Sequence, residues 1–113
     1  MRSGLAWVLE DIAKERNRQD DKWGVQEHDM LYWLGILMEE VGEVAKAIIE
    51  TPKGKTYPTP LIDAEKWMDE IRDELIQVAA VAAAAVENID RGRARERVLA
   101  ASVGEARLPD GLA

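Results

Sequence analysis

Two glutamates occupy positions at which a helical pattern calls for apolar side chains. With about 100° between successive residues of an α-helix, Glu40 falls in the middle of an apolar stripe that includes Trp33 and Val44. Glu74 has the same place in a second stripe, beside Val78. An unpaired carboxylate buried among apolar side chains costs several kcal/mol. The spacing therefore marks Glu40 and Glu74 as the first candidates for chemistry.

More carboxylates flank the two stripes, where two packed helices would bring them together: Glu39, Glu43, Glu70 and Asp73. No matching set of basic residues occupies the stripes, because Lys46 and Arg72 lie on their flanks. Two arrangements would relieve the repulsion: some carboxylates stay protonated, or divalent cations bind between the helices. Ligand sets made only of oxygen suit hard cations such as Mg²⁺ or Mn²⁺. The alternative is a solvated acidic face with a different helix register.

Hydrophobic periodicity predicts an all-α protein, with four helices to position these carboxylates. The first helix is expected from about Ser3, its N-cap, to Asp20. The second is expected from Asp29, also an N-cap, to just before Pro52. Residues 51–60 contain three prolines and a glycine, which predict a loop.

The last two predicted helices follow this loop. The third is expected from near Pro60 to about Asp90, with Gly92 as its stop. The fourth, which is shorter, is expected over residues 94–103.

Composition limits what the chain can be. Its 113 residues predict one domain over residues 1–104 and a flexible tail over residues 105–113. The absence of Cys excludes disulfides and thiolate chemistry, and a single His excludes a multi-histidine metal site within one chain. No stretch resembles a signal peptide or a membrane span, so a cytoplasmic protein without membrane contact is expected. The formal net charge of −7 disfavours direct nucleic-acid binding and predicts that a cation separates the chain from any anionic ligand.

The acidic pattern resembles that of a known family. Glu-Glu-Val-Gly-Glu at residues 39–43 and Asp-Glu-Leu-Ile-Gln-Val at residues 73–78 are similar to motifs of the all-α nucleoside triphosphate pyrophosphohydrolases of the MazG type. The signature of that family is Glu-Glu-x-x-Glu on one helix and Glu-x-x-Asp on the next. The likeness covers about residues 15–88, and the run over residues 15–28 is similar to a subgroup of MazG-like proteins.

The resemblance implies a MazG-like bundle of the four-helix type, completed by oligomerisation. It also implies hydrolysis of a nucleoside triphosphate to the monophosphate and pyrophosphate, with Mg²⁺ as the cofactor and Mn²⁺ as an alternative. Four residues would be catalytic by their place in the motifs: Glu39, Glu40, Glu43 and Glu74.

The same resemblance implies a set of metal ligands, with one departure from the family. Gln77 stands where the family has Asp, and its amide can offer a carbonyl oxygen but no charge. Asp73 or Glu70 would then compensate as ligands to a second ion. The metal ligands expected are Glu40, Glu43, Glu74, Gln77, Asp73 and Glu70.

Six residues near the acidic motifs are candidates for binding the substrate: Arg16, Gln19, Trp23, Gln26, Trp33 and Lys46. Trp23 lies in a polar linker and could stack on a base, while Gln19 or Gln26 reads its polar edges. Arg16 and Lys46 could contact phosphates. The alternatives are tryptophans that pack in the core or cover the end of the bundle, and basic side chains that are only solvated.

The third predicted helix is also a candidate interface between copies of the chain. Residues 78–86 are only Val and Ala, and such small side chains permit helices to approach closely. A homodimer or homotetramer is therefore expected.

Two other functions stay open at this point. A phosphoribosyl-ATP pyrophosphohydrolase shares the helical acidic scheme. A non-enzymatic helical regulatory or interaction module with a decayed site would account for Gln77.

Overall fold

The computed structural model describes residues 2–50 and 61–107, which fold into three helices. Helix α1 spans Leu5–Trp23, helix α2 spans Met30–Ile49 and helix α3 spans Leu61–Arg107. Since these residues include no strand, the prediction of an all-α protein is confirmed for the part of the chain described. The predicted loop over residues 51–60, and residues 108–113 of the predicted tail, lie outside this part.

The starts of the first two helices follow different local rules. Asp29 caps α2 as predicted, because its carboxylate accepts a hydrogen bond of 2.8 Å from the backbone N–H of Tyr32. Helix α1 instead begins after Gly4, with no side-chain cap, so Ser3 is not its N-cap. The helix runs on to Trp23 and ends at Gly24, whose φ of 74° suits glycine and whose N–H donates to the carbonyl of Asp20.

Helix α3 corrects the expectation of two separate helices after the loop. It is one helix of 47 residues, about 70 Å long at 1.5 Å per residue, and it passes through Gly92 without stopping. Side chains on both sides of Gly92 are anchored, because Arg91 donates to the carbonyl of Gln26 at 2.9 Å and Arg95 to the carboxylate of Glu27 at 2.6 Å. These tertiary bonds outweigh the cost of one helical glycine, which is about 1 kcal/mol. The helix also continues three residues beyond Gly104, where the tail was expected to begin.

Helix α3 is the element on which the other two pack. Helix α1 runs parallel to it, since Asp11 pairs with Arg72 and Gln19 lies beside Gln77. Helix α2 runs antiparallel to α3, because Trp33 reaches Asn88 and the later residue Glu40 lies near Glu74. Helices α1 and α2 both pack on α3 but barely touch each other.

The buried core lies between α2 and α3 and is small. Trp33 packs on Val81 and Ala84, and partly buried side chains surround this group: Ile36, Leu37 and Ala85. The alanines of α3 let the large indole approach the helix closely, which explains why one tryptophan is almost completely buried in so small a core. None of the described helices combines the length and the apolar character that crossing a lipid bilayer requires.

A substitution at Gly92 distinguishes a continuous α3 from a helix that stops there. No atom lies within 4 Å of a Cβ placed on Gly92, so Gly92→Ala should raise the free energy of unfolding by about 1 kcal/mol in a urea titration. Gly24→Ala is the matched control and should destabilise the fold, because φ at Gly24 is positive. Loss of stability in Gly92→Ala would mean that Gly92 ends a helix after all.

Candidate functional site

A cavity of about 380 Å³ opens between the three helices, a volume within the usual range for small-molecule sites. Its walls include five of the six residues predicted to bind substrate, together with two of the predicted metal ligands. These residues come from α1, from the α1–α2 linker, from α2 and from α3. They are Arg16, Gln19, Trp23, Gln26, Trp33, Glu40 and Gln77.

The remaining predicted ligands line a second, smaller cavity between α2 and α3. It has a volume of about 270 Å³ and contains Lys46, the sixth predicted substrate-binding residue. Its acidic lining includes Glu43, Glu70, Asp73 and Glu74. Glu39 lines neither cavity. Glu40 and Glu74, on facing helices, therefore lie in different cavities, although they are close enough to interact electrostatically.

Glu40 is the most strongly crowded carboxylate of the site. Partial burial raises its pKa, and the negative charge of Glu74 raises that pKa further. Smaller contributions in the same direction come from Glu39, Glu43 and Glu15. No Lys or Arg in the described part of the chain forms an ion pair with Glu40. The geometry thus brings negative charge together where α2 faces α3, and Lys46 is the basic residue that lines the cavity there.

Glu15 is an acidic neighbour that the sequence analysis did not include among the site residues. Arg18, one turn later on α1, donates hydrogen bonds of 2.6 to 3.1 Å to both of its carboxylate oxygens. These hydrogen bonds are the main reason why the pKa of Glu15 is lowered, so this carboxylate is held in its charged form. Glu15 lines neither cavity, and it is the α1 residue among the carboxylates that raise the pKa of Glu40.

The oxygen donors around Glu40 suit a hard divalent cation by their chemistry. They are carboxylates with, at Gln77, an amide carbonyl, and these are the groups that Mg²⁺ accepts in proteins. Among the side chains of residues 2–50 and 65–103, no group of three or more acidic or histidine side chains is arranged around one point as metal ligands would be. The donor types fit the cation, while the described side chains do not yet form a closed ligand shell.

Arg16 is already engaged by protein groups in this cavity. Its guanidinium donates to Glu87 at 2.6 Å, to Asp20 at 3.0 Å and to Gln19 at 3.1 Å. The bond to Glu87 ties α1 to α3, the other two lie within α1, and the Arg16 side chain is only 12% exposed. A phosphate at this position would have to compete with the two carboxylates for the guanidinium.

The opposite end of the cavity is aromatic. His28 stacks on Tyr32 with ring centroids 4.2 Å apart, and it meets the edge of Trp33 at 5.0 Å. Trp23 is 56% exposed, and the ammonium of Lys22 lies 4.5 Å from the centre of its ring. Trp33, in contrast, is 5% exposed and shows only part of its surface to the cavity. Of the two tryptophans predicted to bind substrate, Trp23 is thus the more exposed, although Lys22 lies over its ring.

Two residues that shape this end were missed from the sequence, Tyr32 and Asn88. Asn88 is buried, and its Oδ1 accepts hydrogen bonds from the Trp33 indole and from the backbone N–H of His28. A signal for it existed, because Asn88 follows Ala84 by four residues and so interrupts the apolar stripe of α3.

Comparisons of the chain with models of known protein families, with curated proteins and with solved structures gave no match. Support for a function therefore comes from the residues of this chain and from their geometry.

Neutralising Glu40 should stabilise the fold at neutral pH. The pKa of Glu40 is raised in the folded protein, so the ionised side chain destabilises the fold. This destabilisation appears as the pH rises through the pKa of Glu40 in the folded state. Glu40→Gln should therefore melt at a higher temperature than the parent protein at pH 7 without metal. The difference should shrink towards pH 4.5, the ordinary pKa of Glu, where the parent side chain becomes protonated.

Glu10→Gln is the control for this comparison. Glu10 is exposed on α1 and pairs only with Lys14, so its removal should change the melting temperature little at either pH. Equal melting temperatures of Glu40→Gln and the parent protein at pH 7 would show that Glu40 is not destabilised by its neighbours.

Proposed function

We propose that this chain is a divalent-cation-dependent nucleoside triphosphate pyrophosphohydrolase of MazG-like type, which converts a (deoxy)nucleoside triphosphate to its monophosphate and pyrophosphate. The observation that carries the proposal is the main cavity. In it, five side chains suited to a base and its phosphates share one space with Glu40, around which carboxylates of all three helices crowd.

The carboxylates where α2 faces α3 would hold the cation, with Glu40 in the main cavity and the others in the second cavity. Its ligands would come from Glu40, Glu43 and Glu74, with the carbonyl of Gln77 and with Asp73 or Glu70 as further donors. When bound, Mg²⁺ would neutralise phosphate oxygens. It would thereby favour attack by water on phosphorus, which breaks the bond between the α- and β-phosphates and releases pyrophosphate. A carboxylate outside the ligand set, Glu39 or Glu70, would accept the proton of that water on a carboxylate oxygen.

The aromatic end would hold the base. The exposed face of Trp23 offers a stacking surface, while the side chains of Gln19 and Gln26 carry both donors and acceptors for the polar edge of a base. Arg16 also lines the cavity, where it would contact a phosphate by exchanging one of its present carboxylate partners.

A second function, a nucleotide-binding module without catalysis, is favoured by one contact. At the family's Asp position, the Gln77 carbonyl oxygen lies 3.5 Å from the amide nitrogen of Gln19, so it already faces a protein donor instead of a vacant metal position. A neutral residue there also lowers the negative charge available to a second cation.

Removal of either central carboxylate should abolish hydrolysis. Glu40→Gln and Glu74→Gln should each lower pyrophosphate release by at least about 100-fold, because each removes a charged ligand. The assay is a panel of canonical and damaged (deoxy)nucleoside triphosphates with Mg²⁺. Glu10→Gln should retain full activity.

The outcomes separate the two functions. Turnover that is unchanged in either variant would refute the site assignment. Nucleotide binding in titration calorimetry without turnover of any substrate would favour the binding module. Turnover of phosphoribosyl-ATP but of no deoxynucleoside triphosphate would select the related pyrophosphohydrolase.

The chain also carries the surface expected of a homo-oligomer, and we infer a homodimer or homotetramer built on α3. Leu75 and Val86 are 51% and 54% exposed, and they lie about 180° around the helix from the buried Ala84. Met68 continues this second apolar stripe at 54% exposure. Helix α2 has exposed apolar residues of its own, including Leu34 and Met38. A second copy that contributes its own α2 and α3 would complete a bundle of four helices.

Charge placed in this stripe should break the assembly. The parent protein should sediment as two or four chains at micromolar concentration, and Leu75→Glu should shift it towards one chain. Leu5→Glu introduces the same charge at the start of α1, where Leu5 is 70% exposed, and should leave the assembly unchanged. A monomeric parent protein would contradict the inference.

A further inference from the structure

Asn88 is a buried polar side chain in the apolar face of α3, and it is 8% exposed. Its Oδ1 accepts two hydrogen bonds of 2.8 Å, one from Nε1 of Trp33 and one from the backbone N–H of His28. One oxygen atom thereby fixes an α2 side chain and the last part of the α1–α2 linker. Both donors are buried or partly buried, so neither can simply turn to solvent if the acceptor is removed.

Asn88 does not itself line the main cavity, whereas Trp33 and His28 both do. Any effect of Asn88 on a ligand must therefore pass through these two residues. The bond to Nε1 fixes the direction of the indole ring. The bond to the backbone N–H fixes the position of the His28 backbone, and the imidazole of His28 stacks on Tyr32.

Two further side chains of α3 hold the same linker, at the third and seventh positions after Asn88. Arg91 donates to the carbonyl of Gln26 at 2.9 Å, and Arg95 binds the carboxylate of Glu27 at 2.6 Å. Successive contacts on one face of α3 thus hold consecutive linker residues. Gln26 and His28 belong to this linker and line the main cavity. Oε1 of Gln26 lies 2.9 Å from Nε2 of His28.

We propose that Asn88 is a positioning residue for ligand recognition, which orients Trp33 and the α1–α2 linker so that the aromatic end of the cavity accepts a planar base. The identity of the ligand as a nucleotide rests on the proposed function. A hydrophobic residue at position 88 would leave the Trp33 indole N–H and the His28 backbone N–H without an acceptor, which costs free energy where these donors are buried. The amide is explained by the two donors that it aligns.

The test compares ligands with and without a base. Asn88→Leu has a similar volume but no acceptor, and it should weaken binding of the four deoxynucleoside monophosphates about ten-fold in titration calorimetry. Binding of inorganic triphosphate, which has no base, should stay within about two-fold of the parent protein. In a ¹⁵N-labelled sample, the indole N–H resonance of Trp33 should move and exchange faster with solvent. Trp33→Phe identifies that resonance.

Two further variants separate positioning from stability. Asn88→Asp keeps an acceptor oxygen for both donors, so it should restore monophosphate binding to within about three-fold of the parent protein. Ala80→Gly lowers helix stability at a fully buried position of α3 that does not touch Trp33, and it should leave binding unchanged. If Asn88→Leu does not fold, Asn88→Asp decides the matter, because retained base binding supports the role and lost base binding contradicts it.

The possible failures are distinguishable. Equal loss of monophosphate and triphosphate binding in Asn88→Leu would overturn the positioning role, and so would unchanged monophosphate binding. A parent protein that binds no monophosphate would overturn it as well. Selective loss of base binding in a protein that releases no pyrophosphate would support the role of Asn88 while refuting the proposed hydrolase.

Discussion

Repulsion among carboxylates where α2 faces α3 is the constraint around which the site is built. Glu40 is partly buried there, and acidic residues of all three helices raise its pKa. A fold stabilised by a small core of one tryptophan, valine and alanines carries this repulsion as a cost. A bound cation or a proton on Glu40 would each relieve it, so the stability of the fold and the chemistry of the site depend on the same charges.

The opposite end of the cavity is organised by hydrogen bonds instead of by charge repulsion. Asn88, Arg91 and Arg95 of α3 hold a linker that carries Gln26 and His28, and ion pairs of Arg16 connect α1 to α3. Hydrogen bonds thus hold the linker at one end of the cavity, whereas at the other end Glu40 lies among negative charges that raise its pKa.

The sequence predicted the parts of this structure that depend on local periodicity. The apolar stripes placed Glu40 near Glu74, and Asp29 was recognisable as an N-cap. The prediction that α3 stops at Gly92 was wrong, because helix propensity cannot register the bonds that Arg91 and Arg95 make to a linker more than 60 residues earlier. Lys46 was a candidate for binding substrate together with the residues of the main cavity, but it lines the second cavity. Helical angles alone do not show that residues on the same face of α2 line two separate cavities.

Helices α1 and α2 each rest on α3 and scarcely meet. The width of the main cavity is therefore not fixed by direct packing of its two walls. Tilting of α1 would cost mainly surface ion pairs such as that of Arg16 with Glu87, while the α2–α3 core around Trp33 stayed intact. The main cavity thus has one wall built on the α2–α3 core and a second wall, α1, whose position depends on its packing against α3.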